Sequence, residues 1–124
     1  MKTIVVIRGK SNTGKTTTIK RALKEIFGIE IYNPNKDIAL LFKHKDKMIA
    51  IISMGDVLYK IEEYFDKMEE KFDMMICACR TKGDTITFFE EKKNMYNMEF
   101  IDKVENNEEE AISKIKKVLE TFFK

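Results

Sequence analysis

The segment Gly9-Lys10-Ser11-Asn12-Thr13-Gly14-Lys15-Thr16 has the residue types and the GxxxxGK[ST] spacing that suit a chain of phosphate groups. Two glycines let the backbone curl until successive N–H groups face inward around phosphate oxygens. A helix opening directly behind the loop adds unpaired N–H donors and the positive end of its dipole. Lys15 supplies a point charge for the β- and γ-phosphates, and the Thr16 hydroxyl is placed to ligate Mg²⁺. Thr17 follows closely enough to reach the α-phosphate. The bland alternative is a glycine turn that holds sulfate or nothing, and the elements on either side weigh against it.

Such a loop needs a buried strand to deliver it and a helix to receive it. Ile4-Val5-Val6-Ile7 is continuously apolar rather than alternating, which marks residues 2–8 as a strand covered on both faces. Ile19, Ala22, Leu23, Ile26 and Phe27 recur at helical spacing up to a stop at Gly28. Residues 29–32 read as a short strand closed by Asn33-Pro34-Asn35. Residues 37–43 and 48–52 read as an antiparallel hairpin across His44-Lys45-Asp46-Lys47. A second helix is expected from Asp56 as its N-cap, with Val57, Leu58, Ile61, Phe65, Met68 and Phe72 turned inward. Met74 to Cys79 is another continuous apolar strand, 84–96 a helix, and Glu99 to Val104 a strand. Asn107, followed by Glu108-Glu109-Glu110, is expected to cap the last helix. The alternation predicts one α/β domain over residues 1–124: a three-layer sandwich whose mostly parallel sheet carries one antiparallel hairpin strand.

Composition narrows the setting. The 124 residues hold 23 basic and 21 acidic side chains, a net charge of +2, which argues for neither a nucleic-acid nor an anionic-membrane partner. With 44% hydrophobic and 35% charged residues the chain has a soluble, globular balance. Its longest apolar runs are about six residues against the roughly 20 that cross a bilayer. Ile4 to Ile7 is too short for a secretory segment, so a cytoplasmic location is expected. Two cysteines, Cys77 and Cys79, are too few for a disulfide scaffold and read as small buried hydrophobes. A single histidine, His44, excludes zinc sites built from several imidazoles.

At residues 3–20 the chain resembles the P-loop nucleoside triphosphatase superfamily, and its strand–helix order extends the likeness more loosely to the whole sequence. It looks most like the small kinase-like members. The resemblance implies that ATP and Mg²⁺ are held by Gly9, Ser11, Asn12, Thr13, Gly14, Lys15, Thr16 and Thr17, with hydrolysis or phosphoryl transfer as the chemistry. A nucleoside triphosphate is then the ligand, with a small-molecule acceptor or a protein as the second partner. No segment is long enough for a closing lid. A second reading is a nucleotide-dependent switch or binding module, reading ATP or GTP with little turnover of its own. A third is a pseudo-enzyme that binds nucleotide and stops there.

In the superfamily an apolar strand ends in an Asp that holds Mg²⁺ through water. Here Met48-Ile49-Ala50-Ile51-Ile52 ends in Ser53, and the carboxylate comes later, at Asp56. Two roles are open to Asp56: serving the metal beside Thr16, or only capping its helix. Arg80 follows a buried strand, where open α/β sheets bind ligands; it either clamps a phosphate or forms a surface ion pair. Lys15, Asp56 and Arg80 are thus the catalytic candidates. Asp37 either meets an acceptor hydroxyl or is a solvated turn residue, the latter being the commoner case. Thr81-Lys82-Gly83-Asp84 matches the [NT]KxD pattern that reads guanine, but it stands one strand too early in the element order. Arg21, on the first helix, is expected on its solvent side.

Overall fold

A computed structural model describes residues 1–32 and 36–124. Its elements are β1 (Thr3–Arg8), α1 (Lys15–Ala22), β2 (Ala39–His44), β3 (Lys47–Ile52), α2 (Leu58–Met68), β4 (Met74–Cys79), α3 (Asp84–Glu90), β5 (Asn97–Asp102) and α4 (Glu108–Phe122). The strands form one sheet in the order β2-β3-β4-β1-β5. β1 runs parallel to β4 and to β5, and β3 parallel to β4, while β2 pairs antiparallel with β3.

The continuous apolar runs have a simple cause. Successive strand residues point to opposite faces, and here both faces are covered. Ile4, Val6, Ala50, Ile52, Met75, Cys77 and Cys79 pack against Ile61 and Phe65 of α2 and Phe89 of α3. Val5, Ile7, Ile49, Ile51, Met74, Ile76 and Ala78 pack against Ile19 of α1 and Ile112, Ile115 and Leu119 of α4. The helices therefore lie on both faces of a mixed, mostly parallel sheet, as expected. No helix among the described residues is long and apolar enough to cross a membrane.

Several boundaries differ from the sequence expectation. Residues 29–32 form no strand: Ile29 and Ile31 pack on the α1 side of the core, and the antiparallel hairpin supplies the sheet edge instead. Asn33-Pro34-Asn35 lies outside the described residues. The first helix ends in a wider, π-type turn over Leu23–Phe27, closed by Gly28 at φ 71°. Lys45 and Asp46 both have positive φ, 50° and 65°, which gives the two-residue hairpin the twist its strands require. α2 begins at Leu58 with Val57 in the capping position, so Asp56 is not its N-cap. α3 stops at Glu90, and turns occupy residues 91–95. β5 starts at Asn97, two residues earlier than expected, because its register with β1 is set by Thr3 opposite Asn97. Asn107 holds the capping position of α4, yet its side chain bridges the loop: Oδ1 accepts from the Val104 N–H and Nδ2 donates to the Asp102 carbonyl. Arg21 is tied to Glu25, Glu108 and Glu109, joining α1 to the start of α4 rather than facing solvent alone.

This topology gathers one set of segments. The carboxyl ends of β1, β3, β4 and β5 share one edge of the sheet. Because β2 is antiparallel, the residues before it arrive at that same edge.

Candidate functional site

The glycine loop leaves β1 at this edge and turns into α1. The Gly9 N–H donates to the Cys79 carbonyl at 3.0 Å, fastening the start of the loop to the end of β4. Asn12 and Gly14 take left-handed backbone angles, φ 63° and 89°, which asparagine tolerates and glycine adopts freely. Gly9 is required for a different reason: a Cβ there would stand 2.4 Å from the Lys103 carbonyl oxygen. The Thr13 hydroxyl donates to the Lys10 carbonyl at 2.7 Å, and the Thr18 N–H to the Gly14 carbonyl at 2.9 Å, opening the helix.

Two buried ammonium groups brace the loop. Lys15, only 6% exposed, donates to the Gly9 carbonyl at 2.7 Å and to Asp56 Oδ1 at 2.9 Å. Lys103, 3% exposed, donates to the Thr13 carbonyl at 2.8 Å and also to its neighbour Val104. Sequence reasoning passed over Lys103. Its signal was available: a lysine directly after an apolar strand at the carboxyl edge of the sheet.

Asp56 and Arg80 are brought together and pair with each other. Arg80 Nε lies 3.5 Å from Asp56 Oδ1, and an Arg80 guanidinium nitrogen donates to the Ser11 hydroxyl. Burial alone would raise the Asp56 pKa. The Lys15 hydrogen bond and the charges of Lys15 and Arg80 outweigh it, holding the carboxyl below its ordinary value. Gly55 makes this approach feasible, since a Cβ there would fall 2.8 Å from the Ala78 Cβ. The segment 53–56 thus lies flat on the end of β4.

Thr16 meets a different acid. Its hydroxyl donates to Asp37 Oδ1 at 2.8 Å, with the Ser53 carbonyl at 3.4 Å. Ser53, 1% exposed, accepts from the Ile38 N–H at 2.7 Å. Asp37, set aside in the sequence as a turn residue, therefore stands on the loop's hydroxyl. Asp84, in the guanine-like pattern, is exposed and opens α3. The Arg80 N–H donates to Thr85 Oγ1 at 2.9 Å, fixing loop 80–83 to that helix.

Beyond Thr13, on the Lys103 side, a cleft of about 550 Å³ is lined by Arg8, Ser11, Thr13, Thr81, Lys103 and Val104, among others. That volume lies within the range of small-molecule sites. Arg8 is fixed there by a 2.7 Å ion pair with Asp102, which lowers the aspartate's pKa.

The fold and site together define an α/β protein with a lysine-bearing glycine loop at the carboxyl edge of its sheet. The chain matches no protein-family model, no curated protein and no solved structure.

Proposed function

We propose that this protein is a P-loop nucleoside triphosphatase of the small kinase-like kind, binding ATP and Mg²⁺ at residues 9–17. One observation carries the reading. The Lys15 ammonium, behind a strand–loop–helix at the carboxyl edge, spans back to Gly9 and is paired with a carboxylate that an anion can displace. The triphosphate lies over Ser11 to Thr17, with its terminal phosphates at Lys15. Arg80, already reaching Ser11, adds a second cation there. The nucleoside occupies the cleft beside Thr13 and Lys103, whose volume accommodates it. Thr16 would hold the metal, which would supply positive charge to offset the charge that develops on the phosphates. Asp56, once separated from Lys15, is the carboxylate available to orient an attacking hydroxyl or water.

The switch reading has its own support. Asp37 precedes β2 and Asp56 follows β3, and each holds a loop side chain that nucleotide would claim. Both ends of the hairpin would then respond to loading.

A thermal-shift screen of nucleotides with and without Mg²⁺ tests the proposal, because a ligand bound only by the folded state raises the melting temperature. ATP and ADP are expected to stabilise, and ATP at least as well as GTP. Turnover then separates the readings: a kinase consumes ATP only with an acceptor, and a switch stays slow until its partner arrives.

A further inference from the structure

We infer that Asp37 is the carboxylate of the Mg²⁺ site and that Asp56 is not; this rests on the nucleotide reading above. The strand-end position that should carry the acid is Ser53, and the hairpin supplies the missing group from across the ladder. Ala39 pairs with Ile52, and the Ser53 N–H donates to the Ile38 carbonyl at 2.9 Å, which puts Asp37 level with the end of β3.

The position is built from both sides. Lys20 lies one helical turn beyond Thr16 on the same face of α1, and its ammonium donates to the Lys36 carbonyl. Ile38 is fastened to Ser53 through two hydrogen bonds, one to the Ser53 hydroxyl and one from its backbone. The residues flanking Asp37 are thus anchored to α1 and to β3, and the carboxylate between them meets Thr16 Oγ1 at 2.8 Å.

The spacing suits the ion. Mg²⁺ is octahedral with oxygens at about 2.0–2.1 Å, so two ligands on adjacent corners stand about 2.9 Å apart. Thr16 Oγ1 and Asp37 Oδ1 are already at that separation. The ion needs only one or two carboxylates, with waters and phosphate completing its shell. Asp56 has the wrong neighbours. Its Oδ1 is 2.9 Å from one ammonium and 3.5 Å from a guanidinium, so a divalent cation at that oxygen would face two positive charges. The two acids divide the work: Asp37 serves the metal and Asp56 serves the cations that meet phosphate.

The test is calorimetric titration of ADP into wild type and Asp37→Asn, each in EDTA and in Mg²⁺, with Mn²⁺ as a spectroscopic probe. Asn keeps the size of the side chain and an oxygen for Thr16, and removes the charge. Wild type should bind ADP more tightly in Mg²⁺ than in EDTA. Asp37→Asn should lose that gain by about tenfold or more, the scale on which support of a metal site is felt, while its EDTA affinity is kept or raised. The further loss of free Mn²⁺ signal when protein is added to Mn²⁺ and ADP should weaken in parallel. A variant with wild-type Mg²⁺ dependence overturns the assignment, and so does a loss equal in EDTA and Mg²⁺, which would make Asp37 structural. Mg²⁺ dependence lost in Asp56→Asn but kept in Asp37→Asn returns the metal to Asp56. If wild type binds no ADP in either buffer, the nucleotide reading itself fails and takes this one with it.

Discussion

Asp56→Asn should tighten nucleotide binding, although a carboxylate beside a phosphate site is ordinarily removed at a cost. The reason is competition. Lys15 Nζ is 2.9 Å from Asp56 Oδ1, and any phosphate drawn to Lys15 must displace that partner. At 2.9 Å, two unit charges attract by roughly 6 kcal/mol at an effective dielectric of 20 and by roughly 1.4 kcal/mol in bulk water. Asp56 is 44% exposed, so solvent screening moves the pair towards the lower figure, and about 1 kcal/mol is a reasonable net. Releasing Lys15 in advance should therefore raise ADP affinity in EDTA about fivefold, since 1.4 kcal/mol is a factor of ten. Arg80, 3.5 Å from the same oxygen, is freed in the same step. The variant should also lose about 1 kcal/mol of stability, a few degrees of melting temperature for a chain of this size. The sign of the pH dependence follows. The Asp56 pKa is depressed from 3.8, so the contribution is complete above that pH and disappears as the pH falls through the lower folded-state value. The stability curves of wild type and variant should then converge in acid and separate at neutral pH. Isothermal calorimetry and thermal unfolding read these effects. A fall in EDTA affinity in Asp56→Asn would refute the displacement argument and mean that the carboxylate contacts the ligand favourably.

Two further outcomes concern how the site is held. Gly55→Ala places a Cβ 2.8 Å from the Ala78 Cβ and 2.9 Å from its carbonyl carbon, against ordinary contacts of about 3.5–4.0 Å. β4 is buried on both faces and cannot yield, so segment 53–56 must lift; chemical denaturation should report a loss of about 1–3 kcal/mol. The two thiols should be inert in the native state. Burial pushes Cys79 up to about 12 and Cys77 well above its ordinary value, so a thiol reagent at pH 8 should modify neither until denaturant is added.

Most of the architecture was legible because it rests on patterns with one physical cause. Continuous apolar strands at Ile4 to Ile7 and Met74 to Cys79 mean two covered faces, and both have them. The glycine loop was legible because its backbone demands special residues. What the sequence hid depends on register and on partners distant along the chain. Asp37 looks like any polar residue before a strand until the pairing of Ala39 with Ile52 sets it beside Thr16. Lys103 looks like a surface lysine until its N–H joins Arg8, at 2.7 Å, and its ammonium folds beneath Thr13. Of the two roles the sequence leaves open to Asp56, capping fails: aspartate before an amphipathic run is a common start signal, but here Val57 takes the cap position and two cations hold the Asp56 carboxylate. Residues 29–32 have strand-like composition, but β2 takes the place beside β3, and Ile29 and Ile31 are spent on packing against the α1 side of the core.

The proposed function stands on Lys15 and its loop binding the phosphates of a nucleotide. The most direct measurement is calorimetric titration of ATP with Mg²⁺ into wild type and into Lys15→Ala, with thermal unfolding to confirm that both are folded. Wild type should bind saturably below about 1 mM, and the variant about tenfold or more weakly. No binding by folded wild type at millimolar ATP, or binding that Lys15→Ala leaves unchanged, would contradict it.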